Sequence, residues 1–364
     1  MSKDTGLQLE LRAQRLAWKL GYFARGRVKV YTPDQETLTD IDVIGIRFDR
    51  TLNSEVVVFE TKHENGYSSI FKLKGFLDYF YQTRTGYIIR SSITSDVIQL
   101  AERLGIRGMS ISRLSEIEKQ LGIDETEWKL GYSEGTYNLV EQSVQELFKK
   151  GSGKSAYLRH HFWSGTDPFY RLKNLKEQIE THANNFHSTT DNPLRTALSW
   201  LISDLTCLFS VSLLECASLL FTSAERQRES YFSRRLISGK LSDWEKEKLL
   251  DGFYDFLVKY EGTRKKKPAI ARKDLDLRPE YAEDLYDILS RIMRKPEFSL
   301  NIPRLLDTHH FLRMTSTEPS PLTIRDELNL TDEEFDYTAK FARDILSFLF
   351  GRNVPIFYDK LMVV

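Results

Sequence analysis

Three charged residues interrupt two short apolar runs near the amino terminus, and they are the first candidates for chemistry. Asp42 begins the run Asp-Val-Ile-Gly-Ile, whereas Glu60 and Lys62 end the run Val-Val-Val-Phe-Glu-Thr-Lys. A charged group inside an apolar sheet costs several kcal/mol unless it is paired or binds a metal. This placement therefore indicates a functional site at the ends of the two runs.

The two runs are typical of a β-hairpin, because Val- and Ile-rich residues 41–48 and 55–62 flank a polar connection. Side chains at positions i and i+2 share a strand face, so Glu60 and Lys62 point the same way, and antiparallel pairing brings Asp42 beside them. Two carboxylates are hard oxygen ligands that suit Mg²⁺ or Mn²⁺, and a nearby ammonium group can orient the attacking water or stabilise developing charge. This set of groups suits phosphodiester hydrolysis.

The elements around the hairpin must position these side chains. An amphipathic helix precedes it, and alternating helical and strand patterns follow it. The predicted order is α-β-β-β-α-β-α-β-α, which indicates a mixed sheet with helices on both faces. The predicted elements are helix Leu7–Leu20, strand 24–32, the hairpin, helix Ser68–Tyr81, strand Thr85–Ser91, helix Asp96–Leu104, strand Gly108–Ile111 and helix Leu114–Leu121.

This order, with Asp-x17-Glu-x-Lys on the hairpin, resembles the PD-(D/E)XK nuclease superfamily, and more narrowly its restriction-endonuclease-like branch with the Mrr-type enzymes. In that branch the first helix carries a Glu about eleven residues before a Gly-Tyr pair, and Glu10 stands eleven residues before the Gly-Tyr pair at positions 21 and 22. The resemblance implies that Asp42 and Glu60 bind the metal and that Lys62 is the catalytic lysine. It also implies that Glu10 completes the site or binds a second ion.

One departure from the family pattern concerns the first carboxylate. The family often has Pro-Asp or Gly-Ile-Asp at this point, whereas the chain has Thr-Asp-Ile-Asp, ending at Asp42. Asp40 falls on the same strand face, so the two residues can share or exchange the ligand role. We favour Asp42 because an apolar run follows it directly. The alternative interpretation is structural: Glu60 and Lys62 form an ion pair at a strand end while both aspartates face a turn.

Basic residues supply candidates for contacts with nucleic-acid phosphates. Three alternate along strand 24–32 and are expected on one face, two lie on the helix after the Glu-x-Lys strand, and three belong to the densest basic run. The alternative for each group is an ordinary solvated surface. The candidates are Arg25, Arg27, Lys29, Lys72, Lys74, Lys265, Lys266 and Lys267.

From Asp124 onward, strand-like alternation disappears and helical patterns take over. We predict an α/β restriction-endonuclease-like domain at residues 1–123, a linker and connecting helix at 124–152, and an all-α domain at 153–364. The helical domain carries no chemistry of its own, so we expect it to select the substrate, dimerise the chain or dock a partner protein. Its predicted helices, with the connecting helix, cover residues 138–149, 169–184, 193–222, 224–236, 242–260, 279–293 and 332–350.

Composition limits the function classes without naming one. The chain has 364 residues and a formal net charge of zero, so no overall positive field indicates a nucleic-acid partner. The apolar stretch 197–221 is interrupted by Asp204 and Glu215, which predicts a buried helix and not a membrane span. Cys207 and Cys216 are expected to be buried free thiols. We expect a cytoplasmic protein.

Together these observations predict a metal-dependent nuclease that uses Mg²⁺ or Mn²⁺ and acts on DNA, as an endonuclease of restriction or anti-phage defence. Two alternatives stay open. The nuclease fold can serve as a non-catalytic nucleic-acid-binding or assembly scaffold, or the same chemistry can act on RNA or branched DNA, because phosphate contacts position a substrate without identifying it.

Overall fold

The structure is a computed structural model, and it describes residues 6–31, 37–62, 67–79, 84–123, 134–149, 159, 162–164, 167–238, 243–262, 278–315, 321–359 and 361. Three of the predicted phosphate-binding residues, Lys265, Lys266 and Lys267, lie outside the described residues. Within the described residues, an α/β region at the amino-terminal end is followed by a helical region.

The predicted element order of the amino-terminal region is confirmed. Every predicted helix and strand is present, with ends that differ from the prediction by a few residues. The elements are α1 (Gly6–Lys19), β1 (Phe23–Tyr31), β2 (Thr37–Phe48), β3 (Ser54–Lys62), α2 (Ser68–Tyr79), β4 (Arg84–Arg90), α3 (Ser95–Arg103), β5 (Ile106–Ser110) and α4 (Ile111–Gln120).

The strands form one mixed five-stranded sheet in the order β1-β2-β3-β4-β5. Pairing is antiparallel from β1 to β3 and parallel from β3 to β5, with α2 and α3 as the crossover helices. Val57 and Phe59 pack with Leu16 of α1, whereas Val58 packs with Leu73 of α2. The two sides are therefore called the α1 face and the α2 face, and the predicted cover of helices on both faces is confirmed.

The connection between β2 and β3 is held by Asp49. Its Oδ1 accepts hydrogen bonds from the Thr51 hydroxyl (2.6 Å) and from the backbone N–H groups of Thr51 (2.8 Å) and Asn53 (3.0 Å). The hydroxyl bond is the main reason that the pKa of Asp49 lies below its ordinary value. These contacts fix the register in which Val43 pairs with Phe59, and this register brings Asp42 to the end of β3.

The helical region contains all seven predicted helices, with ends that differ by a few residues, and two more. Helices α11 and α12 were not predicted. Almost every residue of α11 is buried, and its polar and apolar residues are mixed around the helix, so no 3.6-residue apolar stripe marks it in the sequence. The described helices are α5 (Glu134–Lys149), α6 (Pro168–Ser188), α7 (Asn192–Phe221), α8 (Arg228–Ser238), α9 (Asp243–Gly262), α10 (Ala282–Arg294), α11 (Ile302–Thr315), α12 (Pro321–Leu328) and α13 (Asp332–Phe350).

Helix α7 is the centre of this region. By length and composition it could cross a membrane, but its apolar stretch is almost entirely buried inside the protein. The prediction of a buried helix is confirmed. Its two interrupting charges are paired inside the protein: Asp204 contacts Arg25, and Glu215 contacts Arg171. The cellular location stays a prediction.

The helical region packs directly on the α2 face of the sheet. One hydrophobic cluster extends from Phe23 and Val58 of the sheet to residues of α7 and α13. Phe23 stacks with Trp163 at 6.4 Å between ring centroids, and Arg304 donates a hydrogen bond to the backbone carbonyl of Trp18 (3.0 Å). Hydrophobic contacts are therefore continuous across the predicted domain boundary, and the boundary itself stays a prediction.

Candidate functional site

Asp42 lies where β2 and β3 stop pairing. The residue is only 4% exposed, and its Oδ2 accepts hydrogen bonds from the backbone N–H of Thr61 (2.7 Å) and from the Thr61 hydroxyl (3.1 Å). Both bonds cross from one strand to the other beyond the last paired residues of the two strands, Val43 and Phe59. The hairpin therefore holds this carboxylate in one position.

Glu60 and Lys62 meet Asp42 at this point. Glu60 is 1% exposed, and the Lys62 Nζ atom lies 3.2 Å from Glu60 Oε1 and 3.6 Å from Asp42 Oδ2. The expectation that Glu60 and Lys62 share a face is thus confirmed. Two buried carboxylates converge on one ammonium group, which also meets the need of a buried charge for a partner.

The charged groups in this cluster shift one another's pKa. Burial raises the pKa of Glu60, and the charge of Asp42 raises it further, against the opposing effect of Lys72 and Lys62. Burial acts to lower the pKa of Lys62, but the negative charges of Asp42 and Glu60 outweigh it, so the pKa of Lys62 is raised. The ammonium group therefore stays protonated at neutral pH.

A second lysine reaches the site from α2. The Lys72 Nζ atom lies 3.4 Å from both oxygens of Glu60 and 3.8 Å from Asp40 Oδ1. Asp40 itself has a side chain that is 63% exposed and lies at the edge of the cluster. Of the two aspartates considered, Asp42 is the one that the structure brings beside Glu60 and Lys62.

Glu10 is oriented differently from the expectation. Its Oε2 accepts a hydrogen bond of 2.5 Å from Arg27 Nε. Burial raises the pKa of Glu10 and Arg27 opposes this rise, while the charges of Asp42 and Lys62 also act on it, so Glu10 belongs to the same electrostatic neighbourhood. In the described part of the chain, no group of three or more His, Cys, Asp or Glu side chains is arranged to hold a metal ion. The expected set of three carboxylates is therefore not assembled in this conformation.

The backbone is irregular beside Asp42. Arg27, which lies opposite it in the β1–β2 register, has a φ of 52°, a conformation that costs a non-glycine residue about 1–2 kcal/mol. Both strands exchange their faces here. Phe23 and Val28 pack on the α2 face although they are five positions apart, which regular alternation forbids. Ile41 and Ile44 show the same break on β2.

This irregularity corrects the predicted basic track. Arg25 is not on a surface shared with Arg27 and Lys29, because it is buried and its Nε lies 2.7 Å from Asp204 Oδ1. Its Nη1 and Nη2 also donate to the two oxygens of Asp307 at 2.9 and 3.0 Å. The prediction that Arg25 contacts phosphates is wrong in this structure, because its guanidinium pairs with two buried carboxylates. Arg27 and Lys29 are exposed.

The two lysines on α2 also differ from each other. Lys72 belongs to the carboxylate cluster, whereas Lys74 pairs with Asp78 one turn later on the same helix, with 2.5 Å between Nζ and Oδ1.

Thr61 was not predicted as a site residue. The only signal for it was its position between Glu60 and Lys62, which does not reveal a bond to Asp42.

The residues present fit a small, hard divalent cation. The position of the Lys62 ammonium shows where the oxygens of Asp42 and Glu60 converge. Mg²⁺ commonly binds one or two carboxylates and completes its shell with water and substrate phosphate oxygens. Asp42 and Glu60 are therefore the residues that would hold Mg²⁺ or Mn²⁺, and Glu10 would have to leave Arg27 to join them.

Comparisons of the chain with protein-family models, curated proteins and solved structures found no match. The site is therefore interpreted from its own geometry. This geometry consists of two buried carboxylates that converge on one ammonium group, a second lysine on the outer side of Glu60, and an arginine–glutamate pair close to Asp42.

Proposed function

We propose that the protein is a metal-dependent nuclease that hydrolyses phosphodiester bonds, with DNA as its substrate. The observation that carries the proposal is the approach of Lys62 Nζ to both buried carboxylates, 3.2 Å from Glu60 and 3.6 Å from Asp42. Burying two carboxylates side by side costs free energy unless cations compensate them, and two carboxylates with an ammonium group are what metal-assisted phosphodiester hydrolysis requires.

The chain's own residues have distinct tasks in this proposal. Asp42 and Glu60 would hold Mg²⁺ or Mn²⁺, and Thr61 keeps the Asp42 carboxylate aimed at the site through two hydrogen bonds. When bound, the ion supplies an acidified water and neutralises charge on the phosphate. Lys62 has a side chain that is 43% exposed, so its ammonium can turn from the carboxylates to the attacking water or to a phosphate oxygen.

The order of elements supports the same proposal. A helix with Glu10, a hairpin with the Asp and Glu-x-Lys residues, and two parallel strands joined by helices resemble the restriction-endonuclease-like fold. Under this proposal the helical region selects the substrate, joins two copies of the chain or docks a partner protein, and the enzyme serves in restriction or anti-phage defence.

Plasmid cleavage tests the proposal. Supercoiled DNA incubated with the protein and Mg²⁺ or Mn²⁺ is expected to be nicked or linearised. The Lys62→Ala variant is expected to cleave at least roughly 100-fold more slowly, the range for the loss of one electrostatic catalytic group. Among the described residues, Lys62 is the only one whose positive charge contacts both Asp42 and Glu60. Lys19→Ala is the matched control, since Lys19 pairs with Glu327 of α12 (2.9 Å) and not with the site.

A non-catalytic scaffold is the second candidate, and a specific observation favours it. In the described residues each of the three carboxylates has a cation partner: Lys62 for Asp42, Lys62 and Lys72 for Glu60, and Arg27 for Glu10. Such a closed network can be purely structural. Mn²⁺ titration separates the two candidates, because a scaffold should show no Mn²⁺ binding that depends on Asp42 and Glu60. Inactivity on DNA with activity on RNA or branched DNA would change the substrate alone.

A further inference from the structure

The Arg27–Glu10 ion pair depends on an irregular backbone conformation at Arg27 and is not an incidental surface contact. Arg27 is the only non-glycine residue in the described strands with a positive φ, since the other two, Leu52 and Asn329, lie in connections. The neighbouring pairs Gly26–Val43 and Val28–Ile41 keep their register on either side of it. The irregular residue therefore lies directly across from Asp42 and turns its side chain toward α1.

Strained backbone held in place by regular structure on both sides is characteristic of functional positions. Here the strain has a visible consequence: the guanidinium reaches Glu10, whose carboxyl also responds to the charges of Asp42 and Lys62. The two partners differ in exposure, because the Arg27 side chain is 45% exposed and the Glu10 side chain only 15%. The guanidinium can therefore move into solvent, whereas the carboxylate stays close to the site.

We propose that Arg27 holds Glu10 in the substrate-free protein and moves its guanidinium to a substrate phosphate when DNA and a divalent cation bind, which releases Glu10 toward Asp42. This inference rests on the proposed nuclease function. Arg27 is then a positioning residue for Glu10 and a specific contact for the phosphate next to the metal-binding residues.

In this exchange both Arg27 and Glu10 keep a partner of opposite charge. The guanidinium loses a carboxylate and gains a phosphate, which its planar fork of donors can bind through two parallel hydrogen bonds. The carboxylate of Glu10 loses the guanidinium and gains the divalent cation. Neither group is left without a partner of opposite charge, so binding of the cation and binding of the phosphate favour each other.

The first experiment measures Mn²⁺ binding to the full chain by isothermal titration calorimetry, without DNA. Arg27→Gln is expected to tighten Mn²⁺ binding about fivefold, because the variant removes a positive charge that competes for Glu10 (an order-of-magnitude figure for one partly exposed charge). In a Glu10→Gln background, Arg27→Gln is expected to have no further effect on Mn²⁺ affinity, because the competition acts through Glu10.

The second experiment measures binding of a fluorescein-labelled DNA duplex in Ca²⁺ at several salt concentrations. Arg27→Gln is expected to weaken binding about tenfold and to reduce the slope of log affinity against log salt by about one, as expected for the loss of one phosphate contact. Opposite signs for metal and DNA are the signature of the exchange. A purely structural ion pair would not produce them.

Arg47→Gln is the matched control. Arg47 lies on the same sheet, its Nη2 is 2.6 Å from Glu55, and its side chain is 44% exposed, close to the value for Arg27. Neither affinity should change in this variant. Arg27→Gly is a second test variant, because glycine adopts the positive φ without strain and so protects the fold.

The outcomes separate this inference from the nuclease proposal. Wild-type protein that binds Mn²⁺ through Asp42 and Glu60, together with Arg27→Gln and Arg27→Gly variants that match Arg47→Gln in both affinities, overturns the inference alone. Wild-type protein without Mn²⁺ binding that depends on Asp42 and Glu60 overturns the nuclease proposal and the inference with it.

Discussion

Glu60 is the residue in which stability and the proposed chemistry conflict most clearly. It is almost fully buried, and its carboxylate lies within reach of the same ammonium group as Asp42. Burial and the neighbouring negative charge raise its pKa, so the folded protein favours the neutral form more than the unfolded chain does. At neutral pH this carboxyl therefore weakens the fold, and the proposed metal ion would relieve that effect.

Glu60→Gln is expected to stabilise the metal-free protein by roughly 1 kcal/mol at pH 7, a common gain when a strained functional group is neutralised. A group with a raised pKa in the folded state favours folding at low pH and loses this contribution as pH rises through the folded pKa. The gain from Gln should therefore shrink as pH falls below the ordinary pKa of 4.5, where Glu60 is protonated in both states. Thermal unfolding at pH 7 and at pH 4 measures both effects, and a variant less stable than wild type at pH 7 would contradict the account.

The hairpin is the element that the sequence predicted best. Asp42, Glu60 and Lys62 are local to two paired strands, so the period of two and the length of the connection were enough to bring them together. The contacts made by Lys72 and Glu10 were harder to predict, because they depend on how α2 and α1 lie across the sheet. Sequence spacing predicted both helices but not the partner of either side chain.

Strand β1 shows how a strict pattern can mislead. The sequence Arg-Gly-Arg-Val-Lys-Val alternates regularly, yet the strand exchanges its faces at Arg27 and sends Arg25 into the protein. Gly26 was the only local signal, since glycine within a strand often marks an irregularity. The partners of Arg25 could not be inferred from the chain, because Asp204 and Asp307 lie 179 and 282 residues away.

Arg25 joins the sheet to the helical region of the molecule. It contacts Asp204 on α7 and Asp307 on α11, and Arg159 Nε lies 2.6 Å from Asp204 Oδ2. Burial acts to raise the pKa of Asp204, but Arg25 and Arg159 outweigh it and the pKa is lowered. Arg25 stands two residues from Arg27, so the helical region supports the strand that carries the proposed exchange.

Asp204→Asn is expected to destabilise the protein by about 2 kcal/mol at pH 7, because Arg25 and Arg159 each lose one charged partner in a buried cluster. Arg25 keeps its contact with Asp307, and Arg159 keeps its contact with Glu141. A carboxyl with a lowered pKa stabilises the fold above its unfolded pKa and loses this contribution as pH falls. The difference between variant and wild type should therefore shrink below the ordinary pKa of 3.8. Chemical unfolding at pH 7 and pH 3 measures it, and a difference that is absent at pH 7 would show that the buried cluster does not hold the two regions together.

The central claim is that Asp42 and Glu60 form a divalent-cation site, and anomalous diffraction from crystals soaked in Mn²⁺ tests it most directly. We expect one strong anomalous peak within coordination distance of an Asp42 oxygen and a Glu60 oxygen, with the Lys62 ammonium displaced from its position between them. A map without a peak at these residues, in crystals where Lys62 still contacts both carboxylates, would contradict it.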